Sequence, residues 1–159
     1  MAVLQQTQLG VVLDLENLLH PARRTSGATV RDLFVEIVAR LRDLGEIRHA
    51  VGCCDFWLAR ILAPVAGATG VRIYPGELGK DRADRELLRR AADIPASVEV
   101  LVIGSGDQAF APLVAEQALA GRRTIVVARA DSIAPALRAA AHEVIELAVP
   151  SLDPAATAA

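Results

Sequence analysis

The chain has 159 residues, 17 Lys plus Arg against 19 Asp plus Glu for a formal net charge of −2, and 53% hydrophobic content. That is enough apolar material to bury the core of one domain, and the near-neutral balance excludes the strongly basic footprint of a nonspecific DNA coater while leaving a local Arg patch open. No window of ~18 residues escapes an Arg, Asp or Glu, so no membrane span is expected, and the opening MAVLQQTQLG lacks the features of a secretory signal. A cytoplasmic protein is the expectation. The adjacent Cys53 and Cys54 form neither a disulfide framework nor a zinc-spaced pair, and they read as small buried thiols.

Short apolar runs alternate with amphipathic segments, the pattern of repeated βα units. LGVVLDL (9–15) is a near-continuous apolar strand, as a parallel strand covered on both faces should be. A loop, HPARRTSGA, follows. Val30, Leu33, Phe34, Ile37, Val38 and Leu41 then keep helical spacing, with Thr29 as N-cap, Asp32 at its third position and Gly45 as the stop. A strand at 46–53, a helix at 55–66 disturbed by Pro64 and a strand at 70–75 come next.

After a loop containing Gly76 and Gly79, KDRADRELLRRAAD reads as a helix and VEVLVIG (98–104) as the most hydrophobic strand. The sequence GSGDQAFAPLVAEQALAG turns into a helix ending before Gly121. A strand at 122–128, a short helix capped by Ser132 and an edge strand at 143–147 complete the series. The expected architecture is an α/β three-layer sandwich over residues 9–147, Rossmann-like, with a mostly parallel central sheet and the first and fourth strands adjacent at its centre. Residues 1–8 and 148–159 are expected to be flexible tails.

Ligands in such folds sit at the carboxyl ends of the strands, and three acids fall there. Asp14 ends the first strand, within an apolar run where a charge needs a partner; it also suits the N-cap of a short turn. Asp107 follows the fourth strand through Gly104-Ser105-Gly106, and a plain N-cap would look similar. Asp84 shares a helical stripe with Leu87, Leu88 and Ala91, whereas Arg82, Arg85 and Arg89 occupy another face. Three acids at one edge repel unless a cation lies between them, and hard oxygen ligands suit Mg²⁺ or Mn²⁺ rather than Zn²⁺.

These segments resemble the NYN domains of the PIN-like nuclease superfamily. LDLENLL (13–19) is similar to their opening motif, GKDRADRELL (79–88) to their Lys-x-x-x-Asp helix start, and IGSGDQAFAPLV (103–114) to their Ser-Gly-Asp-x-Asp-Phe turn. The resemblance implies a metal-dependent endoribonuclease in which Asp14, Asp84 and Asp107 are catalytic and metal-binding, with Asn17 catalytic and Ser105 a supporting, substrate-binding group. Two departures stand out. Ala109 replaces the second Asp of the turn, and His142 stands where many relatives have an Asp near the last strand. Asp81, Glu16 and Asp131 are the candidates for compensation. Two metals are less expected than one.

Arg82, Arg85, Arg89 and Arg90, with Arg23 and Arg24, offer phosphate contacts to RNA, single-stranded by preference; alternatively they form a solvated face paired locally by Glu86. Arg outnumbers Lys 16 to 1 throughout the chain, so no one cluster is distinctive. Phe56 and Trp57 read as core, Tyr74 as the other wide ring, and His20 as an exposed loop imidazole. Two other readings compete with the nuclease. One is a haloacid-dehalogenase-like phosphatase, for which Glu16 and Leu18 are the wrong residues. The other is a nuclease-like fold that has lost catalysis and serves as an RNA-binding or protein-interaction module, with a homo-oligomer or protein partner left open.

Overall fold

A computed structural model describes residues 6–76 and 80–148, the side chains of residues 80–82 excepted. The strands are β1 (Gln8–Asp14), β2 (Glu46–Cys54), β3 (Arg72–Pro75), β4 (Val100–Gly104), β5 (Arg123–Arg129) and β6 (Glu143–Leu147). The helices are α1 (Leu15–Leu19), α2 (Gly27–Leu44), α3 (Phe56–Thr69), α4 (Lys80–Ala92), α5 (Ala111–Leu119) and α6 (Pro135–Ala140). All six strands are parallel, in the order β3-β2-β1-β4-β5-β6. Thus β1 and β4 are the central neighbours, as their continuous hydrophobicity predicts, and the crevice where the winding reverses lies between them.

The strand period of two divides the core into two layers. Leu9, Val11 and Leu13 of β1, with Val100 and Val102 of β4, pack against Phe34, Ile37, Val38 and Leu41 of α2 and Leu58 and Leu62 of α3. Val12, Leu101, Ile103 and Val126 face the other way, onto Leu87 of α4, Leu113 and Val114 of α5 and Leu137 of α6. Helices on both faces are what right-handed crossovers between parallel strands require. No helix among the described residues is long and apolar enough to cross a membrane.

Several local expectations change. The cap of α2 is Ser26, whose hydroxyl accepts from Thr29 N at 3.1 Å, so the helix begins two residues before Thr29. Pro64 lies inside α3, which continues to Thr69 and ends at Gly70, whose φ of 72° is the left-handed cap conformation that a side chain would oppose. Ser132 does not cap α6; its hydroxyl donates instead to the Arg129 carbonyl at 3.2 Å. Leu15, expected to end the first strand, opens α1, and the expected loop HPARRTSGA begins with one turn of 3-10 helix, His20–Ala22. That stretch is too short to show a helical period, and its Pro21 reads as a break.

Gly106 has a different reason from the backbone freedom its turn suggests, because no positive φ occurs there. A Cβ at this position would lie 2.1 Å from the Ser132 carbonyl oxygen, so only glycine lets the β4–α5 turn meet the loop before α6. The Gly106 carbonyl accepts from Ala134 N at 2.9 Å across the same contact.

Candidate active site

Asp14, Glu16, Asn17, His20, Arg23, Asp84, Asp107 and Arg129 line a cleft of about 370 Å³ at the carboxyl edge of the sheet. A larger one, about 480 Å³, opens elsewhere beside Ala91, Val98, Gln117 and Arg122, toward the strands' amino ends, and gathers no comparable set of charged groups. The smaller cleft, at the carboxyl ends of β1 and β4, is therefore the candidate site.

Asp14 is the last residue of β1 and only 8% exposed. Its Oδ1 accepts from Asn17 N at 3.1 Å and caps α1, while Oδ2 accepts from Ser105 Oγ at 3.0 Å. The two readings of Asp14, helix cap and site acid, are thus compatible, since a carboxylate has lone pairs enough for both. Ser105 is fully buried, and its Oγ also accepts from Asp107 N at 3.1 Å. It touches Asp14 and Asp107 from beneath and exposes no surface to the cleft.

Asn17 Oδ1 accepts from Gly106 N at 3.1 Å, tying α1 to the β4–α5 turn and leaving the amide NH₂ as a donor at the cleft. Asp107 Oδ1 accepts from Ala109 N at 2.9 Å, so this acid too is both a cap and a cleft residue. Asp84 reaches the same cleft from α4, on the partly buried side of the helix one turn before the fully buried Leu87. The stripe of acid followed by leucines was the signal that located it.

Two arginines complete the lining. Arg23 pairs with Asp55 and lies 3.9 Å from Glu16. Burial, then hydrogen bonding to Asp55 and its charge, raises the Glu16 pKa above the ordinary carboxylate value. Burial pushes Asp55 upward as well, but the Leu58 N–H bond, Glu16 and Arg23 together outweigh it and hold Asp55 low. Arg129, which closes β5, is 13% exposed along its side chain, with Nη1 3.7 Å from Asp131 Oδ2. Its buried Nε has no hydrogen-bond partner among the described residues. Sequence reasoning missed Arg129 by ending the strand one residue early, although a charge closing an apolar strand is the same signal that marks Asp14.

The other candidates distribute as follows. Arg85 is exposed and outside the cleft lining, and the Arg82 and Asp81 side chains lie outside the described residues. Arg89 and Arg90 both pair with Glu86 at 2.8 Å, the solvated-face alternative, and draw its pKa down to about 2. Glu16 lines the cleft, whereas Asp131 is exposed and paired with Arg129. His142 Nδ1 meets Thr124 Oγ1 at 2.9 Å and Thr124 N at 3.1 Å, near the amino end of β5 and away from the cleft. Its identity therefore has no bearing on the acids. Phe56 and Trp57, expected in the core, are 66% and 48% exposed. They occupy the first turn of α3, whose apolar period is carried inward by Leu58 and Leu62.

Hard carboxylate oxygens on three segments fit Mg²⁺ or Mn²⁺ by donor chemistry. Among the described residues, no three His, Cys, Asp or Glu side chains are grouped closely enough to clamp an ion directly.

A structural neighbour is a crystal structure of a protein of unknown function from Vibrio parahaemolyticus, 15% identical, with a TM-score of 0.72 over 92% of this chain and 96% of that one. It shares the fold. A search of curated proteins finds no match. The family model of the NYN domain matches residues 8–148, nearly the whole chain. With that match added to the parallel sheet and its acidic carboxyl edge, the chain belongs to the NYN domain family.

Proposed function

We propose that the chain is a metal-dependent endoribonuclease acting at the Asp14–Asp84–Asp107 cleft. The observation that carries this reading is the convergence of three aspartates from β1, α4 and the β4–α5 turn on one cleft that Arg129 also lines. Membership of the NYN family supports RNA as the substrate.

Asp14, Asp84 and Asp107 would hold Mg²⁺ or Mn²⁺. A bound ion would offset charge gathering on the phosphate and ease deprotonation of water. The chain's own groups do the rest. The Arg129 guanidinium has donor capacity beyond its long pairing with Asp131 and holds a phosphate oxygen. Asn17 keeps its NH₂ for substrate or water because its carbonyl is held by Gly106 N. Asp107 keeps Oδ2 to accept a hydrogen from the attacking water, its Oδ1 being engaged by Ala109 N. Ser105 fixes the relative position of both acids from below.

Ala109 favours a second reading, an RNA-binding or protein-interaction module on a disabled nuclease fold, because alanine supplies neither ligand nor proton acceptor. Calorimetric titration with Mg²⁺ and Mn²⁺, followed by incubation with single-stranded RNA, separates the two. The nuclease reading expects ion binding and slow cleavage, both lost in Asp14→Asn. Ion-independent RNA binding without cleavage supports the module, and absence of both ion binding and cleavage overturns the nuclease.

A further inference from the structure

The chain has three Phe, one Trp and one Tyr. Phe34 and Phe110 are fully buried, and Tyr74 lies under the Arg90 guanidinium, 3.7 Å from its ring centroid. Phe56 and Trp57 alone present broad ring surface to solvent, and they are adjacent. Two neighbouring exposed rings in a chain otherwise poor in aromatics call for a ligand with a flat apolar face.

Their position relative to the cleft identifies that ligand. Asp55, between β2 and α3, caps the helix by accepting from Leu58 N at 2.8 Å, which places both rings on the first turn at the carboxyl edge. Cys53 of β2 is in register with Asp14 of β1, so this turn is next to the acid. Arg23 bridges the two features: it lines the cleft, pairs with Asp55, and carries its guanidinium carbon 5.6 Å from the Trp57 ring centroid. Arg60, also exposed, follows one helical turn later on the same side.

Aromatic rings flanked by guanidinium groups are the chemistry that holds an unpaired nucleobase with its phosphates, since every base has a π-face and every linkage a negative charge. We propose that Phe56 and Trp57 form a base-stacking subsite for single-stranded RNA, with Arg23 guiding the backbone from the rings into the acidic cleft. The inference rests on the nuclease reading for the polarity of the cleft and adds to it a base-binding subsite that accounts for the single-strand preference. A duplex keeps its bases stacked on one another and has none to offer the rings.

Trp57 is the only tryptophan, so its emission reports on this subsite alone. The full chain and its Asp14→Asn variant are titrated in Mg²⁺ with a roughly ten-nucleotide oligouridylate and with the corresponding duplex, following Trp emission and the anisotropy of labelled RNA. The single strand should quench Trp57 and the duplex should not. Trp57→Ala and Phe56→Ala should each weaken single-strand binding about 5- to 100-fold, and Trp57→Phe should retain most of it. Tight binding with no quench and no effect of either alanine variant overturns the subsite and leaves the nuclease reading standing. Quenching without cleavage by the wild type sustains the subsite and overturns the nuclease. No RNA binding by either signal overturns the subsite, as does emission that shifts with protein concentration alone, which assigns the rings to a second copy of the chain.

Discussion

Ser105 donates its hydroxyl hydrogen to Asp14 across 91 residues of sequence, at 3.0 Å in a buried setting. The contact is possible because β1 and β4 run side by side, with Leu13 in register with Gly104, so the next residue of each strand meets at the carboxyl edge. The same oxygen accepts from Asp107 N, and one hydroxyl therefore locates two of the three aspartates.

Replacing Ser105 by Ala should leave Asp14 short of a charge-assisted donor and the Asp107 amide short of an acceptor. The expected cost is about 1–3 kcal/mol of folding stability, read as a lower urea midpoint at unchanged slope. Mn²⁺ affinity should fall as well, because both carboxylates lose their common support. Unchanged stability and ion affinity would show that backbone pairing alone sets the edge.

Why was this hydroxyl legible only in part? The acids announced themselves by contrast with apolar surroundings: Asp14 after GVVL, Asp84 before its leucines, Asp107 after the glycine turn. The central pairing of β1 and β4 followed from hydrophobic continuity, since only strands covered on both faces tolerate runs such as VLVIG. Ser105 and Asn17 are short polar residues whose partners lie about ninety residues away, and no local period reveals such a pair. Phe56 and Trp57 misled because ring size predicts burial, whereas the inward face of α3 was already filled by Leu58 and Leu62. Arg129 was hidden by the strand boundary, drawn one residue short at 128.

Cys53 and Cys54 are 1% and 0% exposed, and burial above all, with nearby carboxylates adding to it, pushes each thiol up to about 12. Thiolate is the reactive form, and at pH 8 only about one thiol in ten thousand would be ionised. The native protein should therefore resist maleimide at pH 8 and label at both positions once unfolded in urea, as counted by intact mass. Rapid stoichiometric labelling of the native state would contradict this burial.

The Asp55–Arg23–Glu16 group gives a pH signature. Asp55 is held low in the folded state, so its contribution is present above the unfolded carboxylate value of about 3.9 and is lost as pH falls through the lower folded value. Glu16 is raised, so its contribution runs the other way and fades as pH rises through the raised value. Asp55→Asn keeps an oxygen to cap α3 but removes the charge facing Arg23. At pH 7 it should cost about 1 kcal/mol, and the gap from wild type should narrow as pH falls toward about 3. Urea unfolding across that range checks it; a gap independent of pH would show that the charge facing Arg23 contributes none of it.

Ala109 offers the sharpest test of activity. It lies two residues beyond Asp107 in a single 3-10 turn, Gln108–Phe110, and its amide already donates to Asp107 Oδ1. Ala109 is half-buried while Phe110 beside it is fully buried, so a carboxylate at 109 has a route to solvent that the core side of the turn would deny it. Ala109→Asp should fold, bind Mn²⁺ more tightly and cleave single-stranded RNA about tenfold faster or more, because it adds an acceptor able to orient water beside Asp107. Asp14→Asn, alone or combined with Ala109→Asp, should abolish cleavage, since it removes charge from the proposed cation site at its most enclosed carboxylate. Wild-type protein that binds RNA without cutting, beside an Ala109→Asp variant that cuts, would identify a nuclease fold disabled at one residue. If neither protein binds or cuts RNA, both RNA readings fall, and a protein-interaction role becomes the better account of the cleft.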